Sequence, residues 1–183
     1  MAKTVLVPIA ESIEEIEAVC IIDTLRRAGA KVTVASVGDL SITASRGVKL
    51  VADKLIGDCS NEDFDLIVLP GGLPGAEYLR DCDVLTDMLK KQTRQEKLFA
   101  AICASPATVF SHHGLIGDKK ATCHPSLADK LICKEKLDRR VVTDGNCVTS
   151  QGPGTALEFA IELVRKLFGD EQAVKVAGPM LIE

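Results

Sequence analysis

The chain has 183 residues, with 22 basic against 26 acidic side chains and a formal net charge of −4. That length suits a single domain spanning residues 1–183, able to bury about two-thirds of its unfolded surface. The charge gives no attractive field for nucleic acid or an anionic membrane, and five phenylalanines, one tyrosine and no tryptophan leave little for base stacking, so neither partner is expected.

The opening stretch MAKTVLVPIAESIEE carries one lysine and a short apolar run cut by acids, which fits neither a signal peptide nor a membrane span. A cytoplasmic protein is expected. Thr4 to Ile9 reads as a strand, although Pro8 cannot donate to a sheet ladder. Ser12 and Glu15 have capping-box spacing, and Ile13, Ile16, Val19, Cys20 and Ile22 give one apolar face, predicting a helix from Ile13 to Ala28 that Gly29 stops. Lys31 to Ser36 is short and β-branched. Strand, helix, strand is the unit from which parallel sheets are built by right-handed crossovers.

Ser41 to Lys54 is more polar and suggests a hairpin-like excursion around Ser45-Arg46-Gly47. Asp65 to Leu69 is an apolar strand broken by Pro70-Gly71-Gly72 at the carboxyl edge of the sheet, where open α/β sheets bind ligands. Adjacent glycines let backbone N–H groups approach a ligand, but a pair of glycines alone reads first as a turn. Ala76 to Gln95 carries the spacing of one or two amphipathic helices.

Leu98 to Pro106, LFAAICASP, is an apolar run ending in a cysteine between small residues. It predicts a buried strand that delivers Cys103 to a tight turn, with a helix beginning at about Ser105. Small neighbours (Ala101, Ala104, Ser105) suit the strained backbone of a nucleophile turn, and a following helix N-terminus favours thiolate. From this stretch alone, a cysteine closing an apolar strand is more often a packing residue. Lys119 to Cys123 reads as a strand leading to His124-Pro125, with a small helix over Leu127 to Leu131. His124 thus sits at a strand-to-helix junction, where backbone satisfaction and catalysis are equal readings. Cys147 to Ser150 is a further strand, turned by Gly152-Pro153-Gly154 into a strong amphipathic helix from Ala156 to Phe168.

Seven cysteines without a CxxC pair argue against a disulfide framework and a zinc site, so no metal is expected. The absence of GxGxxG after the first strand, and of GxxxxGK anywhere, disfavours dinucleotide and P-loop roles. The economical architecture is an α/β, doubly wound, mostly parallel sheet in a single-domain sandwich.

Five separated motifs resemble the DJ-1/ThiJ/PfpI superfamily of flavodoxin-like proteins, and within it the DJ-1 branch. They are Ile13-Glu14-Glu15-Ile16-Glu17, Leu69 to Gly72, AAICASP around Cys103, Thr122-Cys123-His124-Pro125, and TSQGPGTALEF from Thr149 to Phe159. The resemblance implies that Cys103 is a reactive cysteine, Glu17 the carboxylic acid beside it and His124 the nearby histidine, with Gly71, Gly72 and the Ala104 amide lining an oxyanion pocket. A carboxylate and a thiolate in contact repel, so Glu17 is expected to hold the shared proton and leave Cys103 ionised. The implied activity is that of a cofactor-free glyoxalase III with related deglycase chemistry, acting on methylglyoxal, glyoxal or glycated groups. A redox sensor or redox-regulated chaperone using Cys103 is the alternative. A cysteine peptidase is weaker, because the peptidase branch places histidine directly after the cysteine, where Ala104 stands. The resemblance also implies a homodimer, with Ile13 to Arg27 and Ser45-Arg46-Gly47 as contributors.

Overall fold

The computed structural model describes residues 2–182. Among the described residues eleven strands occur in chain order: β1 (Thr4–Ile9), β2 (Lys31–Ser36), β3 (Ser41–Thr43), β4 (Lys49–Val51), β5 (Lys54–Leu55), β6 (Leu66–Leu69), β7 (Leu98–Ile102), β8 (Lys120–Ala121), β9 (Glu135–Lys136), β10 (Val141–Asp144) and β11 (Cys147–Ser150). The helices are α1 (Glu15–Arg27), α2 (Gly75–Arg80), α3 (Asp83–Arg94), α4 (Ala156–Phe168) and α5 (Asp170–Ala177).

Seven strands form one mixed sheet in the order β10-β11-β7-β6-β1-β2-β5, parallel except where β10 runs antiparallel to β11. The five strands β2-β1-β6-β7-β11 follow the flavodoxin-like order, so the expected α/β architecture is the one observed. Its centre explains the apolar runs: every residue of β6 and all of β7 after Leu98 are buried. Phe99 on β7 meets Phe110 edge-to-face at 5.2 Å, and truncating either ring to alanine costs about 3–5 kcal/mol. On the helical layers α1 packs along α4, which also carries α5, while α3 lies on β7. The α3 and α4 patterns both put apolar residues inward, Leu85, Met88 and Leu89 in one and Phe159, Leu163 and Val164 in the other.

Pro8 occupies a central strand after all. It pairs in register with Ala35 of β2, and the β6 partners of β1 stop at Leu6, so the ladder on that side has already ended. The excursion after β2 is a separate two-stranded hairpin, β3 with β4, turning at Ser45-Arg46-Gly47. β8 lies outside the main sheet and pairs with β9.

The capping box at Ser12 does not form. Ser12 takes a left-handed φ of 62° and gives its N–H to Thr43 O, so α1 starts later, at Glu15, without a side-chain cap. The helix expected from Ser105 is also different: residues Pro106–Phe110 form a single π-helical turn, with Ser111 N–H donating to Pro106 O.

Candidate active site

Parallel strands whose apolar runs end together bring their following turns to one edge of the sheet. β6, β7 and β11 are neighbours, and the turns after them converge on Cys103. Cys103 is the first residue beyond β7 and holds φ at 63°, a left-handed conformation unusual for a residue with a side chain. The surroundings enforce it. Its N–H donates to Ser150 O at 2.9 Å, and its carbonyl accepts the His124 N–H at 2.8 Å. The next turn is anchored by the Ser105 hydroxyl, which donates to Pro70 O.

The glycines after β6 are there for space. A Cβ on Gly71 would stand 2.7 Å from Cys103 Cβ, and one on Gly72 would stand 2.5 Å from Glu14 N. Gly72 also needs its φ of 90°. This close approach aims the N–H groups of Gly72 and Ala104 at the Cys103 sulfur. Gly71 serves differently from its neighbour: its N–H donates to Glu17 Oε2 at 2.7 Å, and its carbonyl accepts the Glu14 N–H.

Glu17, in the first turn of α1, is completely buried and faces the Cys103 thiol. Its second oxygen, Oε1, finds no hydrogen-bond partner of ordinary geometry among the described residues. Burial pushes Glu17 up to about 7, against the Gly71 N–H and the thiol, which favour the carboxylate, and with the charge of Glu14 adding to the rise. Burial also pushes Cys103 up, to about 12, helped by the charge of Glu17 and opposed by the Gly72 and Ala104 N–H groups. The pair therefore retains a proton at neutral pH. Both groups are thus pushed toward their neutral forms, and the thiolate expected from the sequence is not favoured at rest; protonating Glu17 removes its charge from the thiolate's surroundings but leaves burial, the largest effect, opposed by two N–H donors. A protonated Glu17 also relieves the cost of leaving Oε1 charged and unpartnered.

His124 precedes the 3₁₀ turn Pro125–Lys130. Its Nδ1 accepts the Ser126 N–H at 3.3 Å and lies 2.7 Å from the Ser126 hydroxyl, which leaves Nε2 as the protonated nitrogen. The ring borders the Gly152 turn, where a Cβ would come 3.5 Å from His124 Cδ2. A cavity of about 250 Å³ beside this histidine is lined by Thr122, Cys123, Pro125, Leu131, Lys136 and Gln151, and Cys103 is not among its walls. The structure thus brings Cys103, Glu17, Gly71, Gly72 and Ala104 into one cluster and ties His124 to it through the main chain. Glu14 and Ser150 were not singled out in the sequence. Glu14 could have been found from the run of acids after β1; nothing local marks Ser150.

A flavodoxin-like sheet with a strained cysteine at a strand end, braced by a buried glutamate, defines a class of cysteine-centred α/β proteins. The chain belongs to the DJ-1/PfpI family, whose profile matches residues 3–166. It is 40% identical to protein dj-1beta of Drosophila melanogaster, with 100% of this chain and 98% of that one covered. It is 37% identical to a Caenorhabditis elegans protein named glutathione-independent glyoxalase DJR-1.2, covering 94% of this chain and 92% of the relative. Protein DJ-1 homolog B of Arabidopsis thaliana is 50% identical over 98% of this chain, which spans only 42% of that relative's length. Among solved structures, oxidized DJ-1 of Toxoplasma gondii superposes with a TM-score of 0.97 at 51% identity, covering 99% of each chain.

Proposed function

We propose that this chain is a cofactor-independent glyoxalase that converts methylglyoxal or glyoxal with water into lactate or glycolate, with deglycase chemistry on related adducts. The observation that carries the reading is the left-handed Cys103 set against the fully buried Glu17, with the Gly72 and Ala104 N–H groups directed at the sulfur. The glyoxalase name of the Caenorhabditis elegans relative supports it.

In the proposed reaction the Cys103 sulfur adds to the aldehyde carbon and the aldehyde oxygen takes up a proton, giving a hemithioacetal. The Gly72 and Ala104 N–H groups stabilise the oxyanion as it forms; removing one such donor costs about 3 kcal/mol. Glu17, ionised after giving up its proton, removes the hydrogen from that carbon and returns it to the neighbouring carbonyl carbon, while the hemithioacetal hydroxyl gives its proton to the neighbouring carbonyl oxygen. The first carbon is thereby oxidised to a thioester and the second reduced to an alcohol, with no external electron acceptor. Water, assisted by His124, cleaves the thioester, releases the hydroxy acid and restores the thiol. Gly71 acts by holding Glu17 Oε2 in place.

Lactate formation from methylglyoxal without glutathione tests the proposal. Wild type should turn over, and Cys103→Ala and Glu17→Gln should each lose at least about 10²-fold in kcat. Lactate production by Cys103→Ala at the wild-type rate would refute it. A second reading, oxidation of Cys103 as a sensor, draws on its partial exposure and on the oxidized state named for the Toxoplasma gondii structure. Selective oxygen addition at Cys103 without turnover would favour that reading.

We also propose a homodimer. Ile16 and Val19 on α1 are 52% and 46% exposed, and Val48 and Val51 of the adjoining hairpin are exposed as well. Val19, Ile22, Leu50 and Val51 line one depression there, rimmed by Asp23, Arg26 and Asp53. A monomeric mass at micromolar concentration would exclude the dimer. Seven free cysteines suit a reducing compartment, so cytoplasm is the proposed location. No helix among the described residues is long and apolar enough to cross a membrane.

A further inference from the structure

Ser105 stands where a serine would ordinarily cap the turn that follows it, directly before Pro106–Phe110, yet its side chain caps nothing there. It is completely buried, and its hydroxyl turns back toward β6 to donate to Pro70 O. Pro70 depends on that donor. It is buried just past the end of β6, and its carbonyl accepts no other hydrogen bond among the described residues. The same carbonyl belongs to the trans peptide Pro70–Gly71, whose N–H leaves from the opposite edge and reaches Glu17 Oε2 at 2.7 Å. One rigid amide plane is therefore held at both ends, by a hydroxyl from the cysteine turn and by the buried carboxyl of α1.

We infer that Ser105 is a positioning residue for Glu17: its hydroxyl holds the Pro70–Gly71 peptide at the tilt that aims the Gly71 N–H at the carboxyl, and so sets where Glu17 stands against Cys103. The contacts close into a ring. The chain runs from Cys103 through Ala104 to Ser105, the hydroxyl crosses to Pro70, and the amide plane leads by the Gly71 N–H to Glu17, whose carboxyl faces the Cys103 thiol. Two hydrogen bonds and one peptide thus space the nucleophile from the acid. An amide that accepts a hydrogen at its oxygen is also polarised into a better N–H donor, so the hydroxyl strengthens the bond that favours the Glu17 carboxylate. The other ionisable groups around Glu17 are Glu14, Glu15 and Cys20 on α1 and Cys103 opposite, with Arg46 beside Glu15 and His124 beyond Cys103. None of their side chains bonds to the Ser105 hydroxyl or to Pro70 O, so a change at Ser105 leaves their charges in place.

The inference rests on the Cys103–Glu17 pairing but not on glyoxalase turnover, and its test needs no substrate. The rate of iodoacetamide alkylation at Cys103, read by peptide mass mapping, is followed from pH 4 to 10 in the intact protein, with urea midpoints measured alongside. Alanine fits the space that serine leaves, so Ser105→Ala should fold, with a lower midpoint from the unmet Pro70 carbonyl. With the Gly71 bond weakened, the Glu17 carboxylate is disfavoured: the first inflection of the profile should rise by about half a pH unit and the plateau above it by about 3-fold, with the acid limb unchanged. In Glu17→Gln, where that carboxyl no longer titrates, adding Ser105→Ala should leave the Cys103 rate within about 2-fold at every pH. A Ser105→Ala profile that superimposes on wild type, at any urea midpoint, would overturn the inference. So would a rate multiplied by one common factor across the range, or the same change in the Glu17→Gln background, since either places the action of the hydroxyl on Cys103 rather than on Glu17. Absence of methylglyoxal turnover in wild type would bear on the proposed activity and leave these profiles as they are.

Discussion

Cys103 follows β7 and Cys147 opens the adjacent β11, and burial raises both thiols to about 12, yet their chemistry is opposite. Cys147 begins β11 opposite Phe99, is 1% exposed, and is held up chiefly by desolvation, with no N–H group favouring its thiolate. Cys103 has left the strand, is partly exposed, and meets two N–H donors and one carboxyl that can take the proton in its place. Resistance to ionisation is inert in one setting and adjustable in the other. What separates them is one step beyond the strand end and the availability of a proton partner.

The largest contrast is expected in native-state labelling. Cys103 should react with iodoacetamide at least about 10³-fold faster than Cys147, which is reached only by opening the sheet; comparable rates would erase the distinction. Next in size is Gly71→Ala, whose added methyl collides with Cys103 Cβ and Ala104 N and loosens Glu17. A fall in kcat of about 10²-fold, with KM little changed, is expected, and wild-type kinetics would show that the glycine is mere turn.

The proton partner can be tested through stability. Glu17 stands at about 7 in the folded protein against an ordinary 4.5. The folded state therefore binds the proton more tightly, and its contribution is complete below pH 4.5 and lost as pH rises through 7. Wild type should lose about 3 kcal/mol between pH 4.5 and 8 relative to Glu17→Gln, which carries no such proton. Parallel urea-stability curves for the two proteins would place the proton elsewhere. The smallest effect belongs to Cys147→Ala: about 1 kcal/mol of stability from lost packing, and unchanged turnover. A large loss of activity there would make Cys147 more than a core residue.

The fold was legible because its central strands are uninterrupted apolar runs ending in glycine or small residues, as at Leu69-Pro70-Gly71 and Ile102-Cys103-Ala104. Helices α3 and α4 declared themselves by period. Less was visible at edges, where short polar strands such as β9 and β10 carry little pattern, and α5 follows α4 after only Gly169. The capping box misled for an instructive reason. Glu15 has the right spacing from Ser12, but its carboxyl is spent on the Ser45-Arg46 turn thirty residues downstream, an interaction that no local window contains. The site followed the same division. Cys103 announced its turn locally, whereas spacing alone made Glu17 one more helix acid; the motif resemblance singled it out, and the sheet places Gly71 and Cys103 against it.

The double backbone anchorage of Cys103, to Ser150 on one side and His124 on the other, has a bearing on how the chain folds. Segments far apart in sequence, around residues 17, 71, 103, 124 and 150, must all arrive before that φ can be held, so the site closes only after the long-range strand pairing is complete. Fast alkylation of a single thiol thus becomes a clock for folding: during refolding it should appear with the final native phase, after helical signal has already returned.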